Sequence, residues 1–273
     1  MTDHQPLTRA SGTIAGLRRL HHRKHRDRRR KFLAEGKQAV SQALAAGAAR
    51  ALYGTTASLA EHAGLVDRVR AAGLAIHEVT PDGMVWLSQT VTPQHLIAVC
   101  DFVDVELQQV LAATPKLVVV LDRISDPGNA GTLLRTADAA GVDAVIFSDA
   151  SVDPYNDKCV RASVGSVFGP AVVRGGVTGD IIAALRRSGL QVLATDARAD
   201  RSLYDMARCG ELNCPTAWLF GNEARGLDPE LLSAADRSVA IPIYGTAESL
   251  NLATAAALCL YASATAWRPG QAT

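Results

Sequence analysis

Three short stretches carry residue types that could do chemistry, and each follows an apolar run. The first is DRISDPGNAGTLLRTADAAG, residues 122–141, in which a Pro-Gly turn precedes Asn129, Gly131 and Arg135. On a helix, their separation turns Arg135 about 120° from Asn129 and carries it roughly 9 Å further along. Both can border one cleft at the helix N-terminus, where free backbone N–H groups favour an anion such as phosphate. The structural alternative is a helix cap at Asn129 and a surface charge at Arg135. The second stretch is LFGNEARGL, residues 219–227. Gly221 and Gly226 allow backbone that other residues resist, so amides and carbonyls could approach a flat ligand such as adenine. Its alternative is an ordinary turn into a helix, with Glu223 as a favourable negative charge near the helix start. The third is IPIYGTAESLNLATAAAL, residues 241–258. Pro242 closes a strand, a polar loop follows, and Ser249 and Asn251 open a long apolar helix with Ser249 as its candidate N-cap.

These stretches need a frame that brings strand ends together. KLVVVLD (116–122) is a continuous apolar run of the kind covered on both faces. DAVIFSD (143–149), PAVVRG (170–175), LQVLATD (190–196), TAWLFG (216–221) and SVAIPIY (238–244) are further strands. Helices are expected at about 130–140, 157–167, 179–188 and 228–235, with a last one over 249–267. Strand and helix in alternation predict an α/β fold with a mostly parallel, doubly wound sheet. In such sheets ligands sit at the carboxyl ends of strands, where all three polar stretches fall. A nicotinamide-dependent dehydrogenase would share the frame, but it needs GxGxxG directly after a strand. Here the first turn reads G-N-A-G, and no later junction matches.

The first half reads as a smaller α/β unit. FLAEG (32–36), ARALYGT (49–55), LAIHEV (74–79) and HLIAVCDFV (95–103) are its strands, and 37–47 and 60–73 its helices, each closed by Gly. AATP (112–115) marks the linker, giving domains 1–112 and 113–273. Residues 18–31, RRLHHRKHRDRRRK, hold nine Lys/Arg and one Asp, leaving 19 basic against 26 acidic residues elsewhere, a balance of −7. One short segment therefore supplies the cationic character, as a surface for a polyanion or as a solvated arm. The five cysteines are scattered, form no CxxC pair, and read as buried thiols of a reducing compartment. No apolar run is long enough to span a bilayer, and no signal peptide is expected from MTDHQPLTRASG. The expected location is the cytoplasm.

Taken together, in order, wording and spacing, the three stretches resemble the signature motifs of the SpoU branch of the SPOUT RNA methyltransferases, which includes the TrmH-like enzymes. The resemblance covers roughly residues 117–267, and DPYNDKCVRASVGSVF (153–168) looks like a family stretch between the first two motifs. The first half, with HRDRRRKFLAEG leading into a helix, resembles the ribosomal-protein-like substrate-recognition domain fused to many of these enzymes. What the resemblance implies is a SPOUT sheet whose C-terminal segment threads a deep trefoil knot, and a homodimer with the site near the subunit interface. It also implies S-adenosylmethionine, bent and held mainly by backbone groups, and no metal.

The same resemblance carries over residue roles. It makes Arg135 the main catalytic residue, with Asn129, Glu223, Ser249 and Asn251 completing the constellation. Cofactor contacts fall to Thr195, Leu219, Phe220, Gly221, Asn222, Ile241, Ile243, Ser249 and Leu250. RNA contacts fall to Arg23, Lys24, Arg26, Arg28, Arg29, Arg30 and Lys31, with Arg161 as a further phosphate ligand. A guanidinium stays charged, with a pKa above roughly 12. Arg135 is therefore expected to grip a phosphate bidentately and polarise a ribose 2′-hydroxyl, rather than act as a base. The expected substrate is 23S ribosomal RNA, with transfer RNA as the alternative. A non-catalytic RNA-binding protein retaining the fold is the rival, and the intact polar set argues against it.

Overall fold

The computed structural model describes residues 5–88, 90 and 92–267, in which ten strands form two sheets. The chain divides into two compact units. One holds Met1–Val103 with Tyr155–Phe168, the other Asp104–Pro154 with Gly169–Thr273.

In the first unit β1 (Lys31–Glu35), β2 (Ala49–Gly54), β3 (Ala75–Glu78) and β4 (Leu96–Asp101) form a sheet in the order β1-β4-β2-β3. Strand β4 runs antiparallel to β1 and β2, and β3 lies parallel to β2 at the edge. The central strand β4 is buried along LIAVC, as its unbroken apolar run requires. Leu33, Ile97 and Val99 meet Ile14, Leu20, Met84 and Leu87 in one core. The helices Gly12–Arg18, Arg23–Arg29 and Pro81–Ser88 extend the expected set. The expected 60–73 helix is two, Thr56–Glu61 and Ala63–Ala71.

The basic segment is ordered. It runs through the end of the first helix, a 3-10 turn (Arg19–His21), the helix Arg23–Arg29, and into β1. Arg26 departs from its expected role. It is 2% exposed, and its Nη1 donates to the carbonyls of Leu20 at 2.9 Å and His21 at 2.8 Å. It is a structural strut and is not presented to a ligand.

Two expectations on domain limits also give way. The boundary lies at 103/104, not in the AATP linker, because Val105, Leu107, Val110 and Leu111 pack into the second unit's core. Residues 155–168 fold with the first unit. The Tyr155 ring stacks 4.0 Å from Phe102 and 4.6 Å from Phe32, and its hydroxyl accepts the Val103 N–H at 2.8 Å. Asp157 pairs with His21, whose Nε2 reaches the Leu87 carbonyl at 2.6 Å. The expected 157–167 helix stops at Ser163, because Val164 turns left-handed (φ 51°) ahead of a 3-10 turn over Ser166–Phe168.

The second unit holds β5 (Leu117–Leu121), β6 (Ala144–Phe147), β7 (Ala171–Arg174), β8 (Gln191–Thr195), β9 (Thr216–Phe220) and β10 (Arg237–Val239). Their order is β10-β8-β9-β5-β6-β7, with every neighbouring pair parallel. Strands β5, β8 and β9 are buried on both faces, which is why they read as continuous apolar runs. One face packs against the helices Leu107–Ala112, Thr178–Arg187 and Pro229–Ala234. The helices Pro127–Ala139 and Leu252–Trp267 pack together on the other, and Trp218 of β9 donates its indole N–H to Ser263 at 2.9 Å. The chain builds outward through β6 and β7 and returns to the far side, so the strand order reverses between β5 and β9. That is the switch point at which open α/β sheets bind ligands.

Three local expectations change. Strand β10 ends at Val239, short of SVAIPIY; Pro242 lacks the N–H that a longer ladder needs. The helix Leu203–Arg208, capped by Ser202, was not expected. The last helix begins at Leu252 rather than 249. Cys209 is exposed, while Cys100, Cys159 and Cys259 are buried. Among the described residues no helix is long and apolar enough to cross a membrane.

Candidate active site

At the switch point the carboxyl ends of β8, β9 and β10, with the start of the helix after β5, surround a cavity of about 400 Å³. All three polar stretches reach it, and a chain of hydrogen bonds joins them.

The first stretch enters from β5. Asp126, not Asn129, caps the helix Pro127–Ala139, accepting the Asn129 N–H at 2.8 Å. Capping is thus done before the Asn129 side chain is used, and that side chain is free to face the cavity. The second stretch leaves β9 in a tight turn. A Cβ on Gly221 would lie 2.4 Å from the Gly226 carbonyl carbon and 2.6 Å from the Leu227 nitrogen, so only glycine fits. Gly226 closes the turn at φ +68°, with its N–H on the Asn222 carbonyl at 2.8 Å.

The Asn222 side chain builds this loop. Its Nδ2 donates to the Arg123 carbonyl at 2.8 Å, and its Oδ1 accepts the N–H groups of Ala224 and Arg225. Arg123 ties the same two loops from outside, donating to Asp122 at 2.9 Å and to Asp228 at 2.6 Å. Buried Asp122 also accepts the Thr178 hydroxyl at 2.5 Å.

Glu223 then reaches back to the first stretch. Its carboxylate accepts the Ser125 N–H and hydroxyl, the Asp126 N–H, and Asn129 Nδ2, all at 3.0–3.2 Å. Burial pushes the Glu223 carboxyl up, but the backbone N–H groups of Glu223, Ser125 and Asp126 and the Asn129 amide outweigh it, leaving its pKa below the ordinary value. Asn129 Oδ1 in turn accepts Asn251 Nδ2 at 2.9 Å. Asn251, not Ser249, caps the last helix, through its Oδ1 and the Ala253 N–H at 2.9 Å. The network thus runs Ser125/Asp126–Glu223–Asn129–Asn251.

The cavity lining includes Asn129, Glu223, Ser249 and Asn251, and also Thr195, Phe220, Gly221, Asn222, Ile241, Ile243 and Leu250. Two expected residues lie outside it. Leu219 is fully buried in the sheet core, and only its carbonyl is used, accepting the Thr195 hydroxyl at 3.3 Å. Arg135 is exposed two turns along its helix and does not line the cavity. Among the described residues it forms no hydrogen bond or ion pair. Sequence reasoning missed Asp196 and Ala197, at the carboxyl end of β8, and Val239, Leu252 and Ala255. Asp196 closes LQVLATD as Asp122 closes KLVVVLD, and that parallel was the available signal.

In the first unit, Arg23, Lys24, Arg28, Arg29, Arg30 and Arg161 are exposed and Lys31 is half-buried. Some are engaged. Arg23 pairs with Asp27 at 3.4 Å, Lys31 with Asp101 at 3.1 Å, and Arg30 lies over the Phe102 ring at 4.7 Å.

Sheet order, cavity and polar network define a doubly wound α/β protein with a small-molecule site at its switch point. Residues 116–261 match the SpoU rRNA Methylase family, and residues 12–98 match the MRM3-like substrate binding domain. The chain belongs to the SpoU rRNA Methylase family. It is 33% identical over 253 residues to the 23S rRNA (guanosine(2553)-2′-O)-methyltransferase RlmP of Bacillus subtilis, covering 91% of this chain and 94% of that one. Among solved structures, the AdoMet-bound rRNA methyltransferase from Sinorhizobium meliloti superposes with TM-score 0.79 at 32% identity, covering 93% of this chain and 94% of that one. The SpoU methyltransferase AviRb from Streptomyces viridochromogenes, in complex with AdoMet, gives TM-score 0.80 at 28% identity, covering 93% and 97%.

Proposed function

We propose that this chain transfers a methyl group from S-adenosylmethionine to a ribose 2′-hydroxyl of RNA, with 23S ribosomal RNA as the substrate. The observation that carries the reading is the Glu223–Asn129–Asn251 chain, which brings three separated stretches to one cavity at the switch point. The relatives' activity on 23S rRNA, and AdoMet in two similar structures, support it.

The residues present fit the cofactor. A volume of about 400 Å³ falls within the usual range for small ligands, about 300–1,000 Å³. Phe220, Ile241, Ile243 and Leu250 give apolar walls suited to a flat heterocycle. The Asn222 and Thr195 side chains are spent on protein partners, so recognition there falls to the backbone of the Gly221 turn. Asp196, whose Oδ1 accepts the Arg198 N–H at 3.0 Å and its Nε–H at 3.3 Å, adds a second carboxylate oxygen that can serve a ligand hydroxyl or positive charge.

S-adenosylmethionine, when bound, supplies a methyl group on a sulfonium for in-line displacement by the ribose oxygen. The chain's part is positional, and positioning can lower a barrier by up to roughly 7–11 kcal/mol. Glu223 is a poor proton acceptor, since its carboxylate is ionised below the ordinary range and its lone pairs are taken. It holds Asn129 and the 125–126 loop in place. Arg135 is exposed, lies outside the cavity lining and has no partner among the described residues, which supports a role toward RNA rather than cofactor. It grips the adjacent phosphate and polarises the hydroxyl.

A homodimer belongs to this reading. Tyr244, Leu250 and Tyr261, at and beside the last helix, are 88%, 37% and 51% exposed, an apolar supply for a second copy. The trefoil knot and the cytoplasmic location remain part of the proposal through the family.

Calorimetric titration of the whole chain with S-adenosylmethionine, in the presence of chelator, tests the cofactor assignment. Binding at one site per chain is expected. A folded chain that gives no heat overturns it.

A further inference from the structure

His25 sits part-buried on the first unit among charges of one sign. On the helix Arg23–Arg29 and its cap residue, His22, His25 and Arg29 fall on one stripe, at spacings of three and four. Arg26, on the same side, turns inward to the Leu20 and His21 carbonyls and fixes the helix against the turn before it. The His22 and His25 rings meet edge to face, with centroids 6.4 Å apart. Arg29 lies back across the first helix, its Nη1 on the Gly16 carbonyl at 3.1 Å.

The groups that bear on His25 are Arg19, from the packed turn, and Arg29, His22 and Lys24, from its own helix. None is an anion. Asp27, the helix's one carboxylate, pairs with Arg23. Partial desolvation first, then these cations, hold the His25 imidazole below its ordinary value. His21 is committed elsewhere, to Asp157 and the Leu87 carbonyl.

Among the described residues the charged groups that bear on the His25 imidazole are basic, a setting that suits a bound anion. We propose that Arg19, His22, Lys24, His25 and Arg29 form a phosphodiester-binding cluster in which His25 takes up a proton as RNA docks. The inference rests on the RNA reading above and adds a site and a proton to it. Phosphates reverse the sign of the field at His25 and favour its charged form. In the free chain the imidazole is held low; in the complex it titrates higher. Between those two values binding consumes a proton, so affinity rises as pH falls through the bound value and levels off below the free one. One proton sets a limiting slope of about tenfold in affinity per pH unit.

The test is calorimetry of the whole chain with a short oligouridylate across about pH 5–8, in two buffers of different ionisation enthalpy. Net proton uptake is expected for the wild type. It is lost in His25→Gln, and the two proteins converge in affinity at the alkaline end, where the side chain at position 25 is uncharged in both. A merely structural role for His25 would instead weaken binding at every pH. Proton uptake of equal size in both proteins overturns the proposal. As a check that needs no variant, the His25 Cε1–H resonance should titrate at higher pH with oligouridylate bound than without; an unmoved midpoint in a formed complex also overturns it. A wild type that binds no oligouridylate at any pH overturns the RNA reading itself, and the cluster with it.

Discussion

Gly221→Ala is the sharpest perturbation the site offers. The new methyl carbon would lie 2.4 Å from the Gly226 carbonyl carbon, 2.5 Å from its oxygen and 2.6 Å from the Leu227 nitrogen. All three are backbone atoms, so no side-chain rotation relieves the contact. Ordinary carbon contacts lie at about 3.5–4.0 Å, so the two limbs of the turn must part by roughly 1 Å. That movement breaks the Gly226 N–H bond to Asn222 and drags Asn222 and Glu223 from their partners on the first stretch. Overpacking of this kind costs about 1–3 kcal/mol, and each kcal/mol lowers Tm by about 2–4 °C in a domain of this size. Affinity for S-adenosylmethionine should fall further than stability does, if the turn supplies the cofactor-binding backbone as proposed. Thermal unfolding and calorimetry on the same preparation measure both. A Gly221→Ala chain with wild-type Tm and cofactor affinity would refute the argument that the turn is closed by backbone contact.

Other outcomes follow from single residues. Arg135→Ala should lose about a hundredfold or more in turnover with S-adenosylmethionine affinity kept, and Arg135→Lys should rescue little because a lysine cannot grip phosphate bidentately; steady-state methylation against calorimetry separates the two effects. The depressed Glu223 carboxyl stabilises the fold above its unfolded value, and that contribution fades as pH falls through its lower folded value. Wild type and Glu223→Gln should therefore differ in Tm at neutral pH and draw together in acid. Arg26→Ala should cost about 1–3 kcal/mol in stability, since it strands the buried Leu20 carbonyl and the part-buried His21 carbonyl. Replacing Lys24 and Arg28 by Gln should leave Tm alone and flatten the salt dependence of RNA affinity, by a log–log slope of about 0.7 per lost contact for single strands.

What the sequence revealed follows the range of the forces involved. Strands β5, β8 and β9 were legible because burial on both faces demands an apolar run, and polar residues stop it where the strand ends. The three stretches were legible as strand-end loops, but the bonds joining Glu223, Asn129 and Asn251 span 94 and 122 residues, and no local pattern encodes such reach. Capping was misplaced by a few residues at each end because Asp126 and Asn129, or Ser249 and Asn251, are equally good caps by type. Only the three-dimensional turn decides which one is used. Arg26 looked like its neighbours because charge density does not say which cation faces inward. Residues 155–168 were assigned by sequence position to the second unit, whereas Tyr155 on Phe32 and Phe102 places them in the first.

Transfer of a labelled methyl group tests the central claim most directly. The purified chain is incubated with methyl-labelled S-adenosylmethionine and unmodified total RNA, the RNA species are separated, and the labelled position is mapped by its resistance to alkaline cleavage. The account predicts label in 23S ribosomal RNA at a ribose 2′-oxygen, absent with Arg135→Ala. Label on a base, or no label from a folded chain that binds the cofactor, would contradict it.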